Sequence, residues 1–130
     1  LIVVDASALL EVLLRTPAAE RVETRLYVPG QTLHAPHLLD VEVAQVIRRY
    51  AANGDIDAER GRMALADLAA FPIRRYPHGM LLERVWNLRH NLTAYDAVYV
   101  ALAEALDAAL LTRDKRLAAA AGHRARVEVV

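Results

Sequence analysis

Residues 1–10 read LIVVDASALL. Four apolar residues, three of them β-branched, run without interruption into Asp5, and the apolar character then resumes. A short unbroken run of this kind is the pattern of a strand buried on both faces, as in a parallel sheet covered by helices. The acid at its end then has a place, because ligands of such sheets bind beyond the carboxyl ends of the strands.

Working outward, Ser7 is positioned to cap a helix ending near Leu14, and Thr16-Pro17 opens a second over 17–26. Pro29-Gly30 marks a turn, and TLHA at 32–35 is a weak strand. A helix expected from Pro36 to Ala52 stops at Asn53-Gly54. Asp57 caps a helix to Ala70, and FPIRRY at 71–76 is a strand whose Pro72 suits a sheet edge. Helices follow over 78–90 and, capped by Thr93, over 94–106. AALLT at 108–112 is a second buried strand, Asp114 starts a short helix ending at Gly122, and RVEVV closes the chain as a last strand. Strands separated by helices predict an α/β fold: a mostly parallel sheet of four to five strands with helices on both faces, in one domain spanning 1–130.

Composition narrows the chemistry. The 130 residues contain no cysteine, which excludes disulfides and thiolate metal sites and fits a reducing compartment. Sixteen acids balance fifteen arginines and the single Lys115, so the chain is no general polyanion binder, though local patches of either sign are allowed. The most apolar region, 97–111, is broken by Glu104 and Asp107. Neither a membrane span nor a secretory signal is expected, and the cytoplasm is the default compartment.

Asp5 and Asp114 follow two buried strands and fall on one carboxyl edge. Asp96 lies in the first turn of the helix AYDAVYVALAEAL, which is apolar almost all round and should be mostly buried. Glu42 sits between Val41 and Val43, with Asp40 as a rival turned about 200° away. Singly, each acid has an ordinary reading as a cap or a solvated side chain; Thr93 and Asp96 match a capping box. Gathered in one cleft they would repel, and a cation or protons would have to neutralise them. Oxygen donors without Cys or a paired-His motif select Mg²⁺ or Mn²⁺, ions suited to phosphodiester hydrolysis.

Three stretches, VVDASALLEVLL, APHLLDVEVAQVIRR and LTAYDAVYVALAEALDAALLTRDKRL, resemble the PIN-domain ribonucleases, most closely the VapC-type toxins of type II toxin–antitoxin systems. The likeness runs through essentially the whole chain and implies a three-layer PIN fold. It further implies an endoribonuclease that hydrolyses RNA with a metal-activated water, uses one or two Mg²⁺ or Mn²⁺ ions, forms a homodimer and is inhibited by a cognate antitoxin. Carried over by motif, the metal-binding and catalytic acids are Asp5, Glu42, Asp96 and Asp114, with the Thr112 hydroxyl beside them. Ser7 matches the small polar position after the first Asp. Leu117 stands where some members carry a further acid, so no fifth carboxylate is expected. The antitoxin is expected in a groove near the first helix, whose leucines otherwise belong to the core.

Arg113, Lys115 and Arg116 flank Asp114 and are candidates for RNA phosphates, as are the pairs Arg48-Arg49 and Arg74-Arg75. The five histidines show no ligand spacing, and Trp86, Tyr95 and Tyr99 read as core or interface, with stacking on RNA a further role for Tyr95. Two rivals remain at this level. A Mg²⁺-binding phosphoacceptor signalling domain would want adjacent acids after the first strand and a lysine after the last. A non-catalytic RNA- or protein-binding module on the same fold would not need the acids.

Overall fold

The computed structural model describes residues 1–130. The elements in chain order are β1 Ile2–Val4, α1 Ala6–Leu13, α2 Ala19–Leu26, β2 Leu33–Pro36, α3 Leu38–Ala52, α4 Ala58–Ala70 and β3 Ile73–Tyr76. A 3-10 turn at Gly79–Leu81 leads into α5 Leu82–Asn87, followed by α6 Ala94–Leu106, β4 Ala109–Thr112, α7 Lys115–Ala119 and β5 Val127–Val129. All strand pairs are parallel, and the sheet order is β3-β2-β1-β4-β5.

This order explains the opening stretch. β1 is the central strand, with Val3 level with His34 of β2 on one side and Leu110 of β4 on the other. Ile2, Val3 and Val4 are fully buried. From β1 the chain steps outward to β2 and β3, then returns to the other side of β1 for β4 and β5. Right-handed crossovers therefore send the helices of the first two connections to one face and those of the later ones to the other. The packing agrees: α1, α2, α3 and α4 touch one another, while α5 packs on α6 and α6 lies across β1, β2 and β4. The winding reverses between β1 and β4, and there the carboxyl ends open a crevice.

Four local expectations are corrected. Pro36 does not open a helix; it ends β2, level with Tyr76 of β3, and α3 starts at Leu38. Parallel pairing keeps the chain extended one residue further, and the His37 N–H donates to the Tyr76 carbonyl at 2.8 Å. Ser7 is not a cap, because α1 begins at Ala6 and Asp5 takes the cap position. The second helix starts at Ala19, since the Thr16 carbonyl accepts the Ala19 N–H in a preceding turn. The helix expected over 78–90 is a 3-10 turn plus six residues of α-helix. Leu88 and Asn91 turn out of it through short-range bonds. No helix is long and apolar enough to cross a membrane.

Candidate functional site

Asp5 occupies the position before α1 in an extended conformation (φ −80°, ψ 152°), yet its carboxylate caps nothing. Its N–H donates to the Leu111 carbonyl at 3.0 Å, continuing the β1–β4 ladder. Its Oδ2 accepts from Ser7 Oγ at 2.8 Å and from Thr112 Oγ1 at 2.7 Å. Each hydroxyl is itself oriented by a backbone donor: Ser7 Oγ accepts the Arg113 N–H and Thr112 Oγ1 accepts the Asp114 N–H, both at 3.0 Å. A hydroxyl donates once, so accepting a backbone N–H aims its own proton at Asp5. The turn after β4 thereby fixes the carboxylate after β1, and both hydroxyl bonds fall on one oxygen.

Glu42 projects from the second turn of α3, and its Oε1 accepts from Tyr99 Oη at 2.6 Å. Tyr99 is fully buried on α6. Burial raises the Glu42 pKa, the tyrosine bond opposes this, and the charges of Asp5 and Asp96 raise it further. Asp96 lies in the first turn of α6, where its N–H donates to Thr93 Oγ1 at 3.2 Å. Burial again raises its pKa, with Asp5 and Asp114 adding repulsion. Asp114 differs. It caps α7 by accepting the Arg116 N–H at 2.9 Å and forms a two-pronged ion pair with the Arg116 guanidinium. Those bonds hold its pKa below the ordinary carboxylate range, against the expectation that clustered acids titrate upward.

The four acids line one cleft of about 610 Å³ at the reversal point, together with Ser7 and Arg113. Thr112 is fully buried beneath it. No three of the chain's acids and histidines converge closely enough to form a ready-made metal cage. The donor set is nevertheless of one kind, carboxylate oxygens backed by hydroxyls. Burial first, and then the neighbouring acids, raise the pKa values of Glu42 and Asp96, so their ionised forms lack a counter-charge. Both properties fit a hard divalent cation that keeps much of its own water.

The cleft continues into an apolar stretch between α1 and α3 formed by Leu10, Leu38, Val41, Val46 and Tyr50. Leu9, Val12 and Leu13 of α1 are core residues, as the ordinary reading of those leucines has it. Arg49 and Tyr95 stand at the rim, Tyr95 being 64% exposed.

The candidate basic residues are dispersed in role. Arg113 faces the cleft and donates to the Val130 carbonyl, Arg116 is engaged by Asp114, and Lys115 is exposed. Arg75 is structural: its Nε bonds both carboxylate oxygens of Asp40, at 3.0 and 2.9 Å, and a second nitrogen bonds the Leu68 carbonyl in the last turn of α4. That removes Asp40 as a rival to Glu42. None of the histidines lines the cleft. Trp86 is neither core nor cleft; it is 65% exposed beneath the Arg89 guanidinium.

Two contributions were not legible beforehand. Tyr99 serves the site through its hydroxyl as well as the core. The signal was present in its spacing, three residues after Asp96 on a buried helix face. The Ser7–Thr112 pair across the central strands has no signature in spacing, because 105 residues separate its members.

The comparisons with known proteins agree with this architecture. The family model described as PIN domain matches residues 2–123. Ribonuclease VapC9 of Mycobacterium tuberculosis is 47% identical over 117 residues, covering 90% of this chain and 88% of that protein. Ribonuclease VapC1 of the same organism is 45% identical over 129 residues, covering 98% and 96%. Among solved structures, VapBC2 from Rickettsia felis, bound to a DNA fragment from its promoter, aligns with a TM-score of 0.74. It covers 99% of this chain and 98% of that one, and its 12% identity speaks to the fold alone.

Proposed function

The chain belongs to the PIN-domain family, and from that premise we propose that it is a VapC-type toxin: an endoribonuclease that hydrolyses RNA phosphodiester bonds and is restrained by a cognate antitoxin. The observation that carries this reading is the gathering of Asp5, Glu42, Asp96 and Asp114 around one cleft at the reversal of the sheet. Helix capping accounts for Asp114 but not for Asp5, whose carboxylate caps nothing.

Asp5, Glu42, Asp96 and Asp114 would hold a Mg²⁺ or Mn²⁺ ion. Bound there, the ion would supply an activated water and neutralise charge developing on the scissile phosphate. The chain's own part is positioning. Thr112 and Ser7 aim Asp5, and Tyr99 holds one oxygen of Glu42 while leaving the other free. Arg116 is the counter-ion of Asp114 and would give up that contact to an incoming cation. Arg113 and Arg49 line the cleft and would meet RNA phosphates, as would the exposed Lys115 beside Asp114.

The apolar continuation between α1 and α3 suits a segment of the antitoxin lying in a groove, next to the acids it must cover. A homodimer accompanies this reading. The test is cleavage of purified tRNA and ribosomal RNA by antitoxin-free protein with Mg²⁺ or Mn²⁺. Asp5→Asn should lower it by about a thousandfold, and equal cleavage by both proteins would end the catalytic reading.

A further inference from the structure

Helix α3 carries Glu42 but lacks a cap of its own. The residue before it, His37, has helical dihedrals (φ −53°, ψ −30°), and no side chain near it in sequence bonds the first turn. Free N–H groups at a helix start normally need such a partner. Here the partners come from forty residues away. The His37 N–H donates to the Tyr76 carbonyl at 2.8 Å, and the Leu38 N–H donates to His78 Nε2 at 2.9 Å. The His78 ring lies edge-on to His37, with centroids 6.3 Å apart.

The segment supplying these partners is anchored to the sheet through Tyr76. Tyr76 is level with Pro36 in the β2–β3 ladder, and its hydroxyl bonds His34 Nδ1 at 2.7 Å. In an α-helix the N–H of residue 42 bonds the carbonyl of residue 38. The imidazole is thus one peptide and one helical bond away from Glu42. Leu38 and Glu42 also share the face that lines the cleft.

We propose that His78 is a positioning residue for Glu42: its Nε2 lone pair caps α3 from the β3 side of the sheet and so fixes how far the carboxylate reaches into the cleft. Acceptance at Nε2 assigns the ring proton to Nδ1. The inference rests on Glu42 being a working acid of the site, so the experiment includes that residue.

In the full-length protein, Mn²⁺ affinity by calorimetry and hydrogen exchange at the Leu38 amide are measured for wild type, His78→Leu, His78→Gln and His78→Asn. Glu42→Gln and the His78→Leu/Glu42→Gln double variant complete the set. The Gln oxygen reaches the place of Nε2, whereas the Asn oxygen stops one bond short. We expect His78→Leu to weaken Mn²⁺ about tenfold and to expose the Leu38 amide, as losses of supporting contacts do. His78→Gln should restore both to within about twofold, and the double variant should bind no worse than Glu42→Gln. Turnover of tRNA or ribosomal RNA should follow in kcat with KM unchanged.

If His78→Leu does not fold, the contrast between Gln and Asn decides. Equal Mn²⁺ affinity in those two, a wild-type affinity in His78→Leu, or full additivity in the double variant would overturn the inference. Unchanged Mn²⁺ affinity in Glu42→Gln would instead overturn the role given to Glu42 itself.

Discussion

Glu42 and Asp96 reach the cleft from helices α3 and α6, half-buried and held by hydroxyls or a backbone cap. Asp114 reaches it from the turn after β4 and is met by a guanidinium. On the helical wall, burial and the neighbouring acids make the ionised carboxylates unfavourable. On the strand-end wall, Arg116 makes the Asp114 carboxylate favourable, and it also serves as a helix cap. The same functional group therefore stores electrostatic strain on one side and is relaxed on the other. The strained side is the one that gains most from an incoming cation, and the relaxed side holds the stable frame.

The sharpest way to break this comparison is to remove one acid from each wall. Asp96→Asn and Asp5→Asn should each lower RNA cleavage by about a thousandfold, in line with losses of charge stabilisation at reacting centres. Cleavage with only one of the two acids needed would mean that the walls do not act on one centre.

Tyr99→Phe is expected to cost about tenfold in kcat, as a contact behind a working carboxylate does. It should also raise the Glu42 pKa in chelator-treated protein, because the lost bond is the one that opposes burial. A carboxyl NMR titration reads that shift, and an unmoved Glu42 would refute the role given to the hydroxyl.

Thermal melting tests the strain directly. An acid whose folded pKa exceeds its unfolded value keeps its proton in the folded chain over a pH window where the unfolded chain has lost it. The metal-stripped protein should therefore melt higher as pH falls from neutrality into the window just above ordinary carboxylate values. Asp114 works in the opposite sense, its contribution being present above its unfolded pKa and lost as pH falls through the depressed value. Asp96→Asn should flatten the rise and increase the melting temperature of stripped protein at neutral pH. Adding Mn²⁺ should raise it in wild type and release protons. A melting temperature that falls steadily from neutrality downward would show that the helical wall is not strained.

The smallest effect is expected at Arg116, which is 89% exposed. Arg116→Ala should strengthen Mn²⁺ binding by about twofold to threefold, since an exposed pair is well screened. Weaker Mn²⁺ binding would mean that the arginine supports the site and does not compete for it.

The sheet was legible in the sequence because its central strands are apolar on both faces and end abruptly in acids or hydroxyls. LIVV and ALLT announce themselves in this way, as does Pro72 beside the β3 edge. The start of α3 was misread because Pro36 is an equally good first residue of a helix and last residue of a strand, and pairing with Tyr76 decided between them. Ser7 was misread for a similar reason. A serine two residues after an extended acid suits a cap, but here its hydroxyl is claimed by Asp5 and by the Arg113 N–H. The four acids could be nominated from strand ends, helix starts and a family resemblance. The Thr112 hydroxyl could be nominated with them, but its bond to Asp5 and the parts of Tyr99 and His78 could not, because these act across 107, 57 and 40 residues of chain.

The central place of β1 has a consequence during synthesis. Asp5 is made well before the ladder and the hydroxyl that orient it, which come from β4, at Ala109–Thr112. Contacts this distant in sequence form late and together. A nascent or prematurely released chain that stops short of β4 carries the first acids without their frame. The cleft is complete only once β4 has been made, so the later strand acts as a safety catch on the acid that follows the earlier one.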